Sequence, residues 1–332
     1  MNKLLVFGTI FLLSSNLFGQ ISVKDSTVQV IGYWSKLDTQ SYDVSYEKYK
    51  VKSKDTISRE FMKYEVDIKV LDSTENSYII EWFYKNYSID TENELVRKLT
   101  SITNDISLKI KTDEYGAFIE VVNWQEVRDY LAKITETLKN ELKDVPNHEK
   151  IIANVMNIYS SKESIEANAI KDALQFYKFH GVKYKLGEEL TGKLETSNNY
   201  GGKPFETNVQ YSLDEINETD GNSILRSNEI INSEELTDAT YNYLKKSGTF
   251  GDKFPARNKF PSLTNETNTA SRIHGETGWI IYSIETKTIT AEEGSITKAD
   301  AITEGDGGKI IFWSDELTKF YGNIFARGGS VS

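Results

Sequence analysis

The chain has 332 residues, no cysteine and a net charge of −11, from 39 Lys and Arg against 50 Asp and Glu. The missing cysteine excludes disulfides, a thiol nucleophile and a lipid anchor attached through cysteine. The acidic balance disfavours nucleic acid and anionic membrane surfaces as partners, because both repel a negatively charged protein. Aromatic residues make up 12% of the chain, so the composition is that of a folded domain.

The first nineteen residues are typical of an export signal. Lys3 supplies a positive charge, residues 4–13 form a short apolar run, and Gly19 is a small residue at the position predicted for cleavage. The run is about half the ~20 residues that a membrane-spanning helix needs. We therefore predict a signal peptide, residues 1–19, and a single exported domain, residues 20–332. The mature chain is expected in the periplasm or outside the cell, with no transmembrane segment.

Residues 28–122 are predicted to form β-strands. Residues 62–70 alternate strictly between apolar and charged side chains, which predicts a half-buried strand of an antiparallel sheet. A turn cluster follows, and the returning strand again carries apolar residues on alternate positions. The pairing predicted for this hairpin places Val66 opposite Trp82, and Tyr64 opposite Tyr84. A second hairpin is predicted to end in a strand at 117–122.

Residues 124–180 change to a helical period. Their first segment carries one apolar stripe with spacings of three and four, which is typical of an amphipathic helix. That stripe consists of Val127, Leu131, Ile134, Leu138 and Leu142. Helices are predicted at 124–142, 148–159 and 162–179.

Strands are predicted to resume over residues 182–314, with one helix at 234–246. Residues 247–275 show no period and are rich in Ser, Thr, Asn, Lys and Gly, so they predict a long mobile loop. A glycine-rich turn at 306–308 is predicted to lead into a last strand, 309–313. Together these elements predict an α+β fold, with a large curved antiparallel sheet and helices packed on one face.

No residue pattern for catalysis, metal binding or cofactor binding is present in the sequence. The three histidines, His148, His180 and His274, are too far apart for a local zinc site. His180 lies at the predicted end of the third helix, where a cation favours the helix dipole. We predict no catalytic residue, no metal and no cofactor, but a hydrolase assembled from dispersed carboxylates is left open.

Alternate residues of the first hairpin form the candidate ligand site, because they share one face of the predicted sheet. They are Tyr64, Val66, Ile68, Tyr78, Trp82 and Tyr84. Two interpretations are open. Either the helices of residues 124–180 cover this face and make it part of the core, or the cover is incomplete. An incomplete cover leaves an apolar cavity in which Tyr and Trp offer polar groups to a ligand.

Two further segments carry a resemblance. Residues 115–127 pass from a strand into a helix, and residues 277–282 open a late strand. With the leader, they make the chain resemble the half-open-barrel lipoprotein-carrier proteins and related periplasmic lipid-binding proteins, and a set of uncharacterised exported bacterial proteins. The resemblance implies a cavity that holds a hydrophobic ligand, and it assigns no functional residue.

The prediction that follows is an exported cell-envelope protein that binds an apolar or amphipathic, lipid-like small molecule without catalysis. Two alternatives remain. One is an envelope protein–protein interaction module, which contacts another protein through an edge strand or residues 247–275. The other is the hydrolase with dispersed carboxylates.

Overall fold

A computed structural model describes most of the chain. The described residues are 21–52, 55–90, 97, 105–141, 149, 152–153, 156, 159–168, 170–198, 200, 202–247, 254–291 and 305–313. The predicted leader, residues 1–19, and most of the predicted helix at 148–159 lie outside them.

The described residues form fourteen strands, four α-helices and one short 3₁₀ helix. The strands are β1 (Ile21–Ser22), β2 (Thr27–Gln29), β3 (Thr39–Lys52), β4 (Asp55–Ser73), β5 (Ser77–Asp90), β6 (Ile106–Asp113), β7 (Phe118–Val121), β8 (Lys183–Lys185), β9 (Glu189–Thr196), β10 (Phe205–Asn217), β11 (Asn222–Ile231), β12 (Leu263–His274), β13 (Ile280–Ala291) and β14 (Gly305–Trp313). The helices are α1 (Trp124–Glu141), α2 (Lys162–Asn168), α3 (Lys171–Tyr177) and α4 (Ser233–Ser247), and the 3₁₀ helix is Arg257–Lys259.

Eleven strands form one antiparallel sheet in the order β7-β6-β5-β4-β3-β14-β13-β12-β11-β10-β9. Strands β3 to β7 form one meander, strands β9 to β13 form a second, and β14 pairs with both β3 and β13. The last described strand therefore joins the two halves. A small separate sheet, β1-β2-β8, packs against the same core and meets the large sheet at a bridge between Leu186 and Leu213 of β10. The predicted α+β fold with a large antiparallel sheet is confirmed.

Most of the buried apolar residues lie between the large sheet and α2 and α3. This main core contains Ile165 of α2 and Phe176 of α3, both fully buried. A smaller core, formed by Phe205, Ile231, Leu236, Tyr241, Phe260 and Leu263, attaches α4 to the far ends of β10 to β12. In the described part of the chain, no helix is long and apolar enough to cross a membrane.

The first predicted hairpin is present as β4 and β5, but its predicted pairing is wrong. Val66 lies opposite Tyr84 rather than Trp82, and Trp82 lies opposite Ile68. The turn closes with Ser73 opposite Tyr78, one position later than the sequence suggested, and a bulge follows. Moving the centre of the turn by one residue moves the partner of each β4 residue by two positions along β5. Since side chains alternate between faces with period two, the predicted side chains still share one face.

The predicted loop at residues 247–275 is wrong for its second half, because residues 263–274 form strand β12 near the centre of one sheet half. This strand could not be predicted from the sequence because its buried side chains are mostly polar. Asn265, Thr269 and Ser271 are 5% exposed or less. A strand whose buried face is polar has no alternation of hydropathy to detect.

Two other boundaries also differ from the prediction. The glycine-rich segment at 306–308 belongs to β14 instead of forming a turn, because strands on both sides supply backbone partners for it. The predicted helix at 162–179 is two helices, α2 and α3, with Ile170 between them in a non-helical conformation. The predicted helices at 124–142 and 234–246 match α1 and α4 to within one residue at each end.

Candidate functional site

The structure brings the six predicted site residues together on one buried face of β4 and β5. Their exposed fractions lie between 0% and 8%. Trp82 is fully buried, and its Nε1 atom donates a hydrogen bond to the hydroxyl oxygen of Tyr177, 2.9 Å away, at the end of α3. The ring of Phe176 packs edge-on against the Trp82 ring at a centroid distance of 5.3 Å. Helix α3 therefore covers this face, which we call the aromatic half of the inner sheet face.

A buried carboxylate lies at the edge of the aromatic half. Asp172 of α3 accepts hydrogen bonds from the Tyr64 hydroxyl at 2.9 Å and from the Tyr84 hydroxyl at 3.1 Å. Desolvation raises the pKa of Asp172, although these hydrogen bonds and the backbone N–H of Ala173 partly offset the effect. The hydroxyls of both tyrosines also have a raised pKa, chiefly through burial. Asp172 thus fixes the start of α3 to the sheet through hydroxyl groups.

The other half of the same face, on β11 to β13, is polar. Gln175 of α3 donates a hydrogen bond from Nε2 to the Ser283 hydroxyl at 2.8 Å. Ser283 in turn shares a hydrogen bond of 2.8 Å with Ser271 on the neighbouring strand. All three side chains are at most 1% exposed. Helix α3 therefore packs across both halves of the inner sheet face, and contacts apolar residues in the first half and polar residues in the second.

Lys178, directly after α3, holds two carboxylates of the polar half. Its Nζ atom lies 2.9 Å from Oε1 of Glu229 on β11 and 3.0 Å from Oε2 of Glu285 on β13. It also donates to the Thr269 hydroxyl at 2.9 Å. Burial alone would lower the pKa of Lys178, but the charges of Glu285 and Glu229 outweigh it and raise the pKa. The position after the helix end also favours a cation.

Lys287 lies two residues after Glu285 on the same strand, and so on the same face. Within the described part of the chain its ammonium group has no hydrogen bond and no ion pair. The two nearby carboxylates, Glu229 and Glu285, are bound to Lys178. Desolvation and the positive charge of Lys171 lower the pKa of Lys287, while Glu285 and Glu229 partly offset them. A half-buried ammonium group beside another lysine therefore has no direct ion pair among the described residues.

Two buried polar atoms near Lys287 also have no hydrogen-bond partner among the described residues. They are Oγ of Ser227 and Oδ1 of Asn265, in side chains that are 4% and 5% exposed. Glu229, Thr267 and Lys287 form one row across three strands, and Asn265 on β12 and Ser227 on β11 lie two residues to either side of that row. Buried polar atoms are almost always hydrogen-bonded in folded proteins, so each such atom needs an explanation.

We refer to this group of residues as the Lys287 site. It consists of Ser227, Glu229, Asn265, Thr267, Glu285 and Lys287. Apolar residues border it on the side away from α3. Ile289 follows Lys287 on the same face and pairs with Asn265, and Ile231 of the smaller core follows Glu229. Charged groups and apolar groups therefore meet at one position on the inner sheet face, between α3 and α4.

His180 is buried, which contradicts its expected role as a cation at a helix end. The side chain is 3% exposed and shares a hydrogen bond of 2.8 Å with the backbone carbonyl oxygen of Gly278. Desolvation lowers the pKa of His180 to about 4, so the ring is neutral at physiological pH. It packs against Phe176 and Trp34 as part of the core.

Sequence reasoning missed the Lys287 site because its residues come from three strands whose buried positions are polar. No local signal marks this segment: Thr269, Ser271 and Ile273 are buried while Asn268, Ala270 and Arg272 are not, yet the two sets differ consistently in neither size nor hydropathy. Among the described residues, no group of three or more His, Asp or Glu side chains lies close enough together to hold a metal ion.

Comparisons with known proteins give no family. No family model matches the chain, and no curated protein matches it. Among solved structures, the chain is similar to one described as showing lipid–protein interactions in lipovitellin, with a TM-score of 0.38 and 10% sequence identity. The match covers 89% of this chain and 27% of that chain, so the chain spans about a quarter of the length of that protein. Such a low TM-score does not establish a shared fold.

Proposed function

We propose that this protein is an exported cell-envelope protein that binds an amphipathic small molecule with an acidic head group, and that the Lys287 site holds that head group. The leader sequence supports export. The observation that carries the proposal is the half-buried Nζ atom of Lys287 on the inner face, which has no hydrogen bond and no ion pair among the described residues.

Charge selects the head group. Lys178, Lys287 and Lys171 together carry three positive charges against the two carboxylates of Glu229 and Glu285, so one positive charge remains unbalanced among these groups. A carboxylate placed beside Lys287 would accept a charge-assisted hydrogen bond from its ammonium group. A cationic head group would be repelled.

The surroundings of the site select an amphipathic ligand over a fully polar one. Ile289 and Ile231 border the Lys287 site, and the smaller core begins next to them. An alkyl chain leaving the head group in this direction would contact apolar side chains and leave water, which stabilises binding by about 25 cal/mol per Å² of apolar surface. The aromatic half is covered by α3, so we place the ligand beside that half rather than on it.

Titration calorimetry with dodecanoate tests the proposal. Dodecanol, which has the same chain without the charge, is the matched ligand. We expect dodecanoate to bind the purified protein and to bind at least tenfold more weakly to Lys287→Met, because a hydrogen bond to a charged group contributes about 1.5–3 kcal/mol. The control Lys183→Met changes an exposed lysine on β8 and should bind as the wild type does. Equal affinity for dodecanol and dodecanoate, or no effect of Lys287→Met, would contradict the proposal.

The alternative of an envelope interaction module rests on strand β9. This strand is an edge of the large sheet and pairs with β10 alone within the described residues, and most of its side chains are exposed. Such an edge can add a strand from a partner protein. Lys193 at its centre disfavours self-association, as charges on edge strands commonly do. The hydrolase alternative stays a prediction.

A further inference from the structure

The outer face of the second sheet half carries a row of uncharged amide and hydroxyl side chains. Backbone register places five of them side by side on five neighbouring strands, in the order Thr191, Gln210, Asn228, Asn268 and Thr286. At a strand spacing of about 4.8 Å, the row is about 19 Å long. Asn is depleted in strands because it fits the pleated surface poorly. The centre of the row nevertheless contains two Asn residues, and Asn208 is a third on the same face. Residues that are unfavourable for their local structure are typical of functional surfaces.

The outer face of the first sheet half has different chemistry. There, cross-strand pairs of opposite charge cover the surface. Lys85 on β5 contacts Asp67 on β4 at 2.5 Å and Glu65 at 3.8 Å. Glu81 accepts a hydrogen bond from the Ser107 hydroxyl at 2.7 Å. Such pairs are the ordinary way in which a sheet presents a solvated face. The amide row is thus confined to one half of a continuous face, so solubility does not explain it.

The amide row forms the floor of two adjoining grooves. Their volumes are about 330 Å³ and 370 Å³, and Gln210 and Asn228 line both. Two charged side chains line them, Arg226 and Lys193, and each is already ion-paired on the surface, with Asp214 at 2.9 Å and with Glu206 at 2.8 Å. Apart from the carboxylate of Glu266, which is hydrogen-bonded to two amides of the row, the grooves present neutral polar groups, with small apolar patches at residues such as Ala270 and Ile284.

The central amides of the row are held in fixed orientations. Oε1 of Glu266 accepts hydrogen bonds from Nδ2 of Asn228 at 2.6 Å and from Nδ2 of Asn268 at 3.0 Å. Asn228 also donates to Oδ1 of Asn268 at 2.9 Å. Each side chain keeps further capacity, since an amide offers two N–H donors and an oxygen with two lone pairs. Fixed groups lose less conformational freedom when a ligand binds, so this arrangement favours binding.

We propose that the amide row is a binding site for a neutral oligosaccharide. Sugar hydroxyl groups donate and accept hydrogen bonds, as the amide and hydroxyl side chains of the row do. The length of the row suits an extended chain of several sugar units rather than a single sugar. The apolar groups at Ala270 and Ile284 would contact the C–H faces of the sugar rings, and Tyr282 lies on the same face next to Ile284, where its ring can add a stacking surface. This site lies on the opposite face of the sheet from the Lys287 site and is independent of it.

Two-dimensional ¹H–¹⁵N spectra of the full-length protein test the proposal with a panel of cellohexaose, laminarihexaose and chitohexaose. We expect at least one hexaose to shift the side-chain amide signals of Gln210, Asn228 and Asn268 in a saturable way. Asn228→Ala and Gln210→Ala assign these signals and should weaken binding by about tenfold each, since each removes direct hydrogen bonds. Ser107→Ala, on the ion-paired half of the face, should leave the affinity unchanged.

Three results would overturn this inference, and the first two concern the neutral hexaoses. One is that no hexaose of the panel shifts the signals of the row. The other is that the variants in the row bind as the wild type does, which would place the sugar elsewhere. A hexamer of galacturonic acid serves as the charged comparison. Tighter binding of this anionic chain than of every neutral hexaose would also contradict a neutral ligand. The backbone signals of each variant report whether it is folded.

Discussion

The Nζ atom of Lys178 lies 3.0 Å from the Oε2 atom of Glu285 and also contacts Glu229 at 2.9 Å. Within the described residues, this arrangement leaves Lys287, two positions after Glu285, without an acidic partner. Lys178 is therefore ion-paired and Lys287 is not, within the described residues, although both face the same part of the sheet. The two lysines should respond in opposite ways to the same substitution.

Lys178→Met should strongly destabilise the protein. It removes the shared partner of two carboxylates that are 22% and 19% exposed. Leaving buried charges unpaired costs about 3–5 kcal/mol, and we expect the lower end because water reaches these groups in part. Equilibrium unfolding in urea measures the change. The exposed Lys183→Met is the control and should stay within ~0.5 kcal/mol of the wild type. Equal effects of the two substitutions would show that the ion pairs do not stabilise the fold.

Lys287→Met should leave the ligand-free protein as stable as the wild type or make it more stable. Burial and Lys171 lower the pKa of Lys287 below its ordinary value of 10.5. A lysine with a lowered pKa in the folded state destabilises folding at neutral pH, because the unfolded chain binds its proton more tightly. Replacing it removes that cost. Urea unfolding without ligand provides the measurement, and a loss of stability as large as that of Lys178→Met would contradict a free ammonium group.

Binding of dodecanoate should weaken as the pH rises through the lowered pKa of Lys287. The carboxylate of the ligand is ionised throughout this range, so the change comes from the protein. Below that pKa the ammonium group is charged and attracts the carboxylate, and above it the amine is neutral. Lys287→Arg should extend binding to higher pH, because a guanidinium group stays protonated. Calorimetry at a series of pH values tests this, and identical pH profiles for the two proteins would exclude Lys287 as the titrating group.

The sequence predicted the elements whose buried residues are apolar. Alternation at Tyr64, Val66 and Ile68 was sufficient to place β4 and its inner face, and the stripe of α1 was equally clear. Strand β12 was not predictable in this way, because Asn265 and Ser271 are buried without being apolar. Burial of such groups depends on partners from distant parts of the chain, such as Gln175, which no local period reveals.

Neither the register between β4 and β5 nor the Lys287 site could be predicted from the sequence, for similar reasons. The pairing of Val66 with Tyr84 depends on where one turn closes, and a single position decides it. The ion pair between Lys178 and Glu229 joins residues that are 51 positions apart in the sequence. A sequence with 50 acidic residues offers too many such pairs to choose among.

Trp82→Ala should destabilise the protein by about 3–5 kcal/mol, as for other large core residues. The side chain is fully buried, and its removal also leaves the Tyr177 hydroxyl without its donor. Trp82→Phe should cost less, because it keeps most of the ring contact with Phe176. Thermal unfolding followed by circular dichroism measures both. A melting curve near that of the wild type for Trp82→Ala would mean that the aromatic half is not a packed core.

Asp172→Asn should change how stability depends on pH. The pKa of Asp172 is raised above 3.8 in the folded protein, mainly by desolvation. The stability that this carboxyl contributes is therefore fully present below pH 3.8 and decreases as the pH rises through the raised pKa. The wild type should lose stability relative to Asp172→Asn as the pH rises from 3.8 through the raised pKa. Parallel unfolding profiles over this range would show that Asp172 does not titrate there.

Native mass spectrometry of the protein purified from an exported preparation, followed by extraction into organic solvent, tests the proposed function most directly. We expect the wild type to carry a bound mass that extracts as an acidic amphiphile, and Lys287→Met, prepared in parallel, to carry much less of it. A neutral or cationic extracted molecule, or the same acidic mass at the same occupancy on Lys287→Met, would contradict a head group held by Lys287. A protein that is free of bound mass and also fails to bind dodecanoate would contradict ligand binding at this site altogether.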